Sequence, residues 1–201
     1  MLKAGLTGGL ATGKSFVGEA LASMGCHLIK ADELGHQVLL KGGEAYEGVV
    51  REFGAGILND AGEIDRQRLA ALAFDDPARL DVLNSLVHPP VIQREERWIA
   101  GIAARDPAAI AVVEAAILIE TGSYKRFDRL ILAVCAEEQQ LRRAMERGGV
   151  SREKVLARIR RQMPLDEKRK FADYVIDTSG TKEETIRQTR EVYNLLRSIQ
   201  Q

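Results

Sequence analysis

A glycine-rich stretch near the start of the chain has the residue types and spacing of a phosphate-binding loop. Residues 8–15 match the pattern G-x-x-x-x-G-K-[ST], and they lie between an apolar run and a helix-like segment. Glycines let the backbone curl so that successive N–H groups point at phosphate oxygens, and the helix start adds partial positive charge. Lys14 is expected to reach the β- and γ-phosphates of ATP, and the Ser15 hydroxyl is expected to ligate Mg²⁺.

The same motif defines a set of residues expected to contact ATP. They are Gly8, Gly9, Leu10, Ala11, Thr12, Gly13, Lys14 and Ser15, with Phe16 next in the chain. The alternative is a glycine-rich turn before a surface helix. A dinucleotide-binding loop is disfavoured, because the G-x-G-x-x-G spacing is absent and Lys-Ser follows the last glycine.

Asp32 follows a second apolar run, Cys26–Ile29, at the predicted end of a strand. Ligands of parallel sheets bind at strand ends, where a carboxylate can position an attacking hydroxyl or accept its proton. Asp is also a favoured N-cap residue, so capping a helix that begins at Glu33 is the structural alternative.

Two glutamates belong to a later apolar stretch, residues 110–119 and the position after it. Glu114 lies inside the stretch, where an unpaired carboxylate is costly. It either holds the water shell of Mg²⁺ or pairs with a nearby base, and both interpretations stay open. Glu120 either orients substrate or caps a helix.

The segment Glu137–Arg169 is rich in arginine and has a helical pattern, which resembles a kinase lid. Arg143 and Arg147 are four residues apart, so both can point at one anionic target, and we predict a role for both at the transition state of phosphoryl transfer. A solvated arginine face is the structural alternative.

The strands predicted to position these residues are short apolar runs separated by helical segments. They are Leu2–Leu6, Cys26–Ile29, Ile110–Ile119, Leu130–Val134 and Tyr174–Ile176. Such runs suit strands that are buried on both faces, so the pattern predicts an α/β fold with a parallel sheet. Residues 35–105 are too many for a plain crossover, and we interpret them as a helical insertion that contacts substrate.

Composition narrows the classes of function. Lys plus Arg and Asp plus Glu both number 29 in 201 residues, which gives no basic excess for nucleic acid. No apolar run approaches the ~20 residues of a membrane helix, and residues 1–6 lead into a strand instead of a signal peptide. Cys26 and Cys135 are predicted to be buried, reduced thiols. We therefore expect a cytoplasmic protein, a monomer or small homo-oligomer, without nucleic-acid or membrane partners.

Several segments in order resemble the dephospho-CoA kinase family over almost the whole chain. They are Gly5–Gly9 with Gly13–Ser15, Ala31–Asp32, Ile64–Arg66, Leu86–Pro89, Ala116–Glu120, Leu141–Arg147, Arg158–Gln162 and Ala172–Gly180. The sequence departs from the family pattern at three positions. Lys30 replaces the first acid of Asp-Ala-Asp, Phe16 stands where Thr is common, and Ala116 replaces a proline.

The resemblance implies a P-loop kinase with a three-layer fold that phosphorylates the 3′-hydroxyl of dephospho-CoA with ATP and Mg²⁺. It implies one domain over 1–201, with its core in 1–34, 106–136 and 170–201, a CoA-binding insertion at about 35–105 and a lid at about 137–169. The substrate contacts it implies are Arg66, His88, Pro89, Glu120 and Arg158, and Asp177 and Gly180 are implied to contact ATP. His27 and His36 match nothing and are expected to be structural or exposed.

Two other functions stay open. One is another small-metabolite or nucleoside-monophosphate kinase, and the Leu86–Pro89 motif with the helical insertion disfavours it. The other is a non-catalytic nucleotide-binding regulator, which is disfavoured because Lys14, Ser15 and Asp32 are all present.

Overall fold

The computed structural model describes residues 1–74, 76–149 and 151–199. Within these ranges a five-stranded parallel sheet forms the centre of the fold, in the order β2-β3-β1-β4-β5. Its strands are β1 (Leu2–Gly8), β2 (His27–Lys30), β3 (Ile110–Glu114), β4 (Arg129–Val134) and β5 (Tyr174–Asp177). The predicted α/β fold with a parallel sheet is confirmed.

The connections between the strands are largely helical. The α-helices are α1 (Lys14–Ser23), α2 (Ala31–Val38), α3 (Tyr46–Phe53), α4 (Arg66–Phe74), α5 (Pro77–Ala103), α6 (Glu137–Gly148), α7 (Arg152–Arg160), α8 (Leu165–Arg169) and α9 (Lys182–Ser198). Short 3₁₀ helices occupy Ala55–Ile57 and Ser123–Arg126. No helix in the described part of the chain is long and apolar enough to cross a membrane.

The apolar runs form strands because both faces of the sheet are covered. All residues of β3 are buried, and so is all of β4 after its first residue. The main core cluster joins residues of the central strands to apolar side chains of α1 and α9, among them Val17, Leu21, Val192 and Leu196. Full burial of each such side chain stabilises the fold by about 1.5–3 kcal/mol. The packed sheet therefore holds the loops at its strand ends in place.

The predicted third strand is too long. Residues 110–119 were expected to be extended, but β3 ends at Glu114 and residues 116–122 form turns. Leu118 and Ile119 are nevertheless buried, at 4% and 5% exposure. An apolar run reports burial and not backbone conformation, so it continues past the point where the strand ends.

By its contacts the chain divides into two compact units, Met1–Lys30 with Gly101–Gln201, and Ala31–Ala100. The first holds the sheet, α1, and α6 to α9. The second holds α2, α3, α4 and most of α5, and α5 continues through Pro89 and Pro90. Within this helical unit, Arg94 binds Glu44 with both ends of its guanidinium, at 3.0 and 2.6 Å. The Arg94 hydrogen bond is the largest of the effects that lower the pKa of Glu44 to about 2.

Candidate active site

The phosphate loop connects β1 to α1 in a conformation that few residues tolerate. Gly8 lies so close to β4 that a Cβ atom there would come within 2.7 Å of the Ala133 carbonyl oxygen. Gly13 has a φ of +78° and Ala11 a φ of +56°, the latter an uncommon value for a residue with a side chain. Strained backbone of this kind clusters at ligand sites. The loop ends at Gly13, and Lys14 is the first residue of α1.

Glu114 lies next to this loop because β3 pairs with β1 in a register that sets Leu6 opposite Glu114. The Ser15 hydroxyl donates to Glu114 Oε1 at 2.6 Å, and Lys14 Nζ lies 3.2 Å from the same oxygen. The other carboxylate oxygen, Oε2, is buried and has no hydrogen-bond partner among the described residues. The predicted pairing with a base is thus present, and one oxygen is left over for a further partner.

This donor set fits the Mg²⁺ ion that P-loop kinases use. Mg²⁺ typically takes one or two protein oxygens and fills the rest of its octahedron with water and substrate phosphates. The Ser15 hydroxyl and the free oxygen of Glu114 supply such ligands, directly or through water. No group of three or more His, Cys, Asp or Glu side chains suited to a metal occurs within 1–74, 76–149 and 151–199.

A cavity of about 460 Å³ adjoins the loop on the side of α9. Phe16 and Gly180, two predicted ATP contacts, line it together with Arg147 from α6. The Lys182 ammonium lies 6.0 Å from the Phe16 ring centroid, so the aromatic wall has a cation beside it. Size, an aromatic face and the adjoining phosphate loop suit this cavity to the base of a nucleotide.

Thr178, at the end of β5, is a site residue that the sequence analysis missed. Its hydroxyl donates to the Thr12 carbonyl at 2.7 Å and accepts from Arg143 NH1 at 3.0 Å. Arg143 NH2 also donates to the Thr178 carbonyl, at 2.7 Å. Arg143 is therefore held at the wall of the cavity, and its predicted part in the transition state stays a prediction. The only sequence signal for Thr178 was its position between Asp177 and Gly180.

Within the sheet unit, polar contacts join the end of the predicted lid to the phosphate loop and to the segment after β3. Gln162 accepts a hydrogen bond from the Leu10 N–H of the phosphate loop, at 2.8 Å. Glu120 accepts from the Met163 N–H at 3.1 Å and pairs with Lys168 at 2.8 Å. Lys168 is fully buried and also donates to the Ala116 carbonyl at 2.9 Å. Glu120 thus joins the segment after β3 to the end of the predicted lid. Neither of its predicted roles, orienting substrate or capping a helix, included this contact.

Of the other predicted residues of this unit, Arg147, Arg158 and Asp177 lie at the surface and Cys135 does not. Arg147 on α6 borders the cavity and is exposed, as is Arg158 on α7. Asp177 ends β5, and its Oδ1 accepts from the Ser179 N–H at 2.8 Å. Cys135 is buried, which raises the pKa of its thiol.

In the helical unit, Asp32 is exposed and lies in the first turn of α2. Because α2 begins at Ala31, Asp32 is not the N-cap of a helix that begins at Glu33. Arg66 is exposed at the start of α4, and Pro89 is exposed in α5. His88 is half-buried, and burial lowers the pKa of its imidazole.

Comparisons with known proteins agree with this geometry. The family model described as dephospho-CoA kinase matches residues 2–184. A dephospho-CoA kinase of Aquifex aeolicus is 39% identical over 98% of both chains, and that of Carboxydothermus hydrogenoformans is 41% identical over 90% of this chain and 87% of its own. The crystal structure of TT1252 from Thermus thermophilus has a TM-score of 0.81 at 33% identity, covering 96% of each chain. Similarity of this extent confirms the resemblance, and the chain belongs to the dephospho-CoA kinase family of P-loop phosphotransferases.

Proposed function

We propose that this chain transfers the γ-phosphoryl group of ATP to the 3′-hydroxyl of dephospho-CoA, in the cytoplasm and with Mg²⁺. The observation that carries the proposal is the cluster of Lys14 and Ser15, at the start of α1, with Glu114 at the end of β3. It combines a cation for the β- and γ-phosphates with a hydroxyl and a carboxylate suited to Mg²⁺. Membership of the dephospho-CoA kinase family supplies the acceptor.

The loop acts on charge that develops during transfer. Lys14 lies on the first turn of α1, so its ammonium and the helix N-terminus both favour the phosphate anion. In its present contact Lys14 shares Glu114 Oε1 with Ser15, and bound ATP offers it a second anionic partner. Ser15 and Glu114 would hold Mg²⁺, which would supply positive charge against the negative charge of the phosphates.

Asp32 is the residue we assign to the acceptor hydroxyl. It follows β2 by two positions, and its side chain is exposed on the first turn of α2. If the transition state is loose, the proton leaves late, and orientation of the hydroxyl matters more than the basicity of the carboxylate. We assign Arg147, exposed beside the cavity, to the transferred phosphate.

The remaining assignments follow the chemistry of the two substrates. The cavity beside Phe16 and Gly180 holds the base of ATP, with Asp177 ordering the turn that bears Gly180. The proposed contacts of dephospho-CoA are Arg66, His88 and Pro89 in the helical unit, and Glu120 and Arg158 in the sheet unit. Arg66 and Arg158 are each exposed cations, and a guanidinium suits a phosphate group. Glu120 already binds Lys168, so its effect on substrate is exerted through the segment that it anchors.

The test of the function is ADP release with dephospho-CoA, compared with nucleoside monophosphates and small hydroxy acids as acceptors. ADP release that occurs with dephospho-CoA and with none of the other acceptors supports the proposal. Faster ADP release with another acceptor contradicts it.

The test of the mechanism is Asp32→Asn, with Glu33→Gln as its matched control. Both acids are exposed in the first turn of α2, so both substitutions remove the same helix-dipole interaction. We expect Asp32→Asn to lower kcat by roughly 10²–10⁴-fold, the range for general base catalysis, with unchanged thermal stability. Glu33→Gln should leave kcat unchanged. Equal activity of the two variants would remove Asp32 from the mechanism.

A further inference from the structure

Thr178 is a buried residue whose hydrogen bonds join three segments of the sheet unit. It is 3% exposed, and its N–H extends the ladder from β5 by donating to the Val134 carbonyl at 2.8 Å. Its hydroxyl lies between Arg143 of α6 and Thr12 of the phosphate loop. A guanidinium only donates hydrogen bonds and a carbonyl only accepts them. The chemistry of its partners therefore fixes the hydroxyl proton on the Thr12 side.

We infer that Thr178 is a positioning residue that links the wall of the nucleobase cavity to the phosphate loop, so that Arg143 acts on bound phosphate through Thr178. The inference rests on the proposed assignment of the cavity and the loop to ATP. In this arrangement Arg143 affects phosphate binding without contacting the phosphates directly.

The first step of this path is the geometry of one peptide group. The Thr12 carbonyl and the Gly13 N–H belong to the same planar trans peptide and point in opposite directions. By holding the Thr12 carbonyl at 2.7 Å, the Thr178 hydroxyl also fixes the direction of the Gly13 N–H. Gly13 is the glycine before Lys14 in the motif, and its N–H is among those that cradle phosphate.

The close packing of the two segments makes this orientation firm. A Cβ atom on Gly13 would lie 3.1 Å from Thr178 Oγ1, so the Gly13 backbone packs closely against the Thr178 side chain. Since Gly13 has a φ of +78°, the peptide before it is held in a conformation that few residues would adopt without support. Loss of the hydroxyl would leave the Thr12 carbonyl free to rotate within this strained turn.

The second step is electrostatic. Arg143 donates to both the hydroxyl and the carbonyl of Thr178, at 3.0 and 2.7 Å, which fixes the residue at two points. A charged donor polarises the hydroxyl, and hydrogen bonds in series strengthen one another. Because Arg143 also lines the 460 Å³ cavity, a base bound there contacts the same guanidinium that supports the loop.

The experiment measures binding of Mg²⁺-tripolyphosphate, which has no base and reports on the phosphate loop alone. Calorimetric titrations compare the wild type, Arg143→Met, Thr178→Val and the double variant, with Thr178→Ser as the conservative control. We expect Arg143→Met and Thr178→Val each to weaken binding about tenfold, the effect of one well-formed hydrogen bond. The double variant should bind tripolyphosphate no more weakly than Thr178→Val does. Thr178→Ser should bind it as tightly as the wild type.

Other outcomes would overturn the inference in distinct ways. If Arg143→Met weakened tripolyphosphate equally in the Thr178→Val background, Arg143 would contact phosphate directly. If Arg143→Met left binding unchanged, or Thr178→Val lowered only the melting temperature, the network would be structural. Should Thr178→Val not fold, Thr178→Ala takes its place in the same set of variants, because it also removes the hydroxyl that joins Arg143 to the Thr12 carbonyl. These measurements use neither dephospho-CoA nor turnover, so their failure is separate from failure of the proposed function.

Discussion

Replacing Glu114 by glutamine separates the two roles that the sequence left open for this residue. Glutamine has the same shape, and its amide oxygen still accepts from Ser15, but the negative charge is lost. Glu114 is 4% exposed and Lys14 12% exposed in their ion pair, so both groups are largely removed from water. The variant therefore leaves a mostly buried ammonium without an anionic partner in the absence of ATP.

The expected loss of stability follows from this geometry. Breaking a buried ion pair costs about 3–5 kcal/mol, and the lower end applies because Lys14 keeps some exposure. The neutral hydrogen bond that survives to the amide oxygen returns about 1 kcal/mol. A net loss of about 2 kcal/mol should lower the melting temperature by about 4–8 °C for a chain of this size.

The metal role predicts a second, independent effect. Residues that orient a metal or its waters typically contribute 10–100-fold in affinity or activity. We expect Glu114→Gln to shift the Mg²⁺ dependence of ADP release to concentrations roughly 10–100-fold higher. The control is Glu191→Gln, which breaks an exposed pair with Arg187 on α9 and should change neither measurement. A lower melting temperature with an unchanged Mg²⁺ titration would refute the metal role and leave Glu114 as the partner of Lys14.

Three further predictions concern single side chains. Arg147→Ala should lower kcat more than it weakens ATP binding, and a change in ATP affinity alone would identify a ground-state contact. Lys168→Met should lower stability by about 2–3 kcal/mol in thermal unfolding, because Glu120 loses its buried partner but is itself 23% exposed; Lys168→Met with Glu120→Leu should recover part of the loss. For His88, whose pKa is lowered by burial, the unfolded chain binds more protons, so stability should fall as pH drops below about 6.5. His88→Gln should flatten that dependence in melting curves recorded between about pH 5 and pH 8, and an unchanged slope would contradict the assignment to His88.

The parts of the site that could be predicted from the sequence are those fixed by local patterns. The loop motif, the apolar run before it and the helix after it share one short segment, so their geometry follows from neighbouring residues. The helix-like segment after the loop forms α1 over Lys14–Ser23, and Gly25, with a φ of +106°, follows its end. Glu114 was recognised because a carboxylate within an apolar run is unusual wherever the run folds.

The contacts that escaped prediction join residues far apart in the chain. Thr178 reaches Thr12 across 166 positions, and Gln162 reaches Leu10 across 152. A threonine or a glutamine in a polar segment has no pattern that distinguishes a solvated side chain from one that binds a distant backbone group. Such contacts depend on strand order, and the position of β4 between β1 and β5 is not encoded in any local pattern.

The charged segment 137–169, predicted as a lid, also contains contacts that local sequence patterns do not predict. Nothing in the sequence distinguishes the burial of its arginines and lysines, yet Lys168 is fully buried and Arg158 is exposed. The difference arises because α8 follows residues whose polar groups bind the sheet unit, whereas α7 packs through Val155 in a small cluster with Leu141 and Ala144. Breaking the α7 cluster exposes a few apolar groups, but detaching α8 separates a buried ammonium from its partner. Because breaking a buried ion pair costs about 3–5 kcal/mol, we expect α8 to keep its contact with Glu120 if the rest of the predicted lid moves.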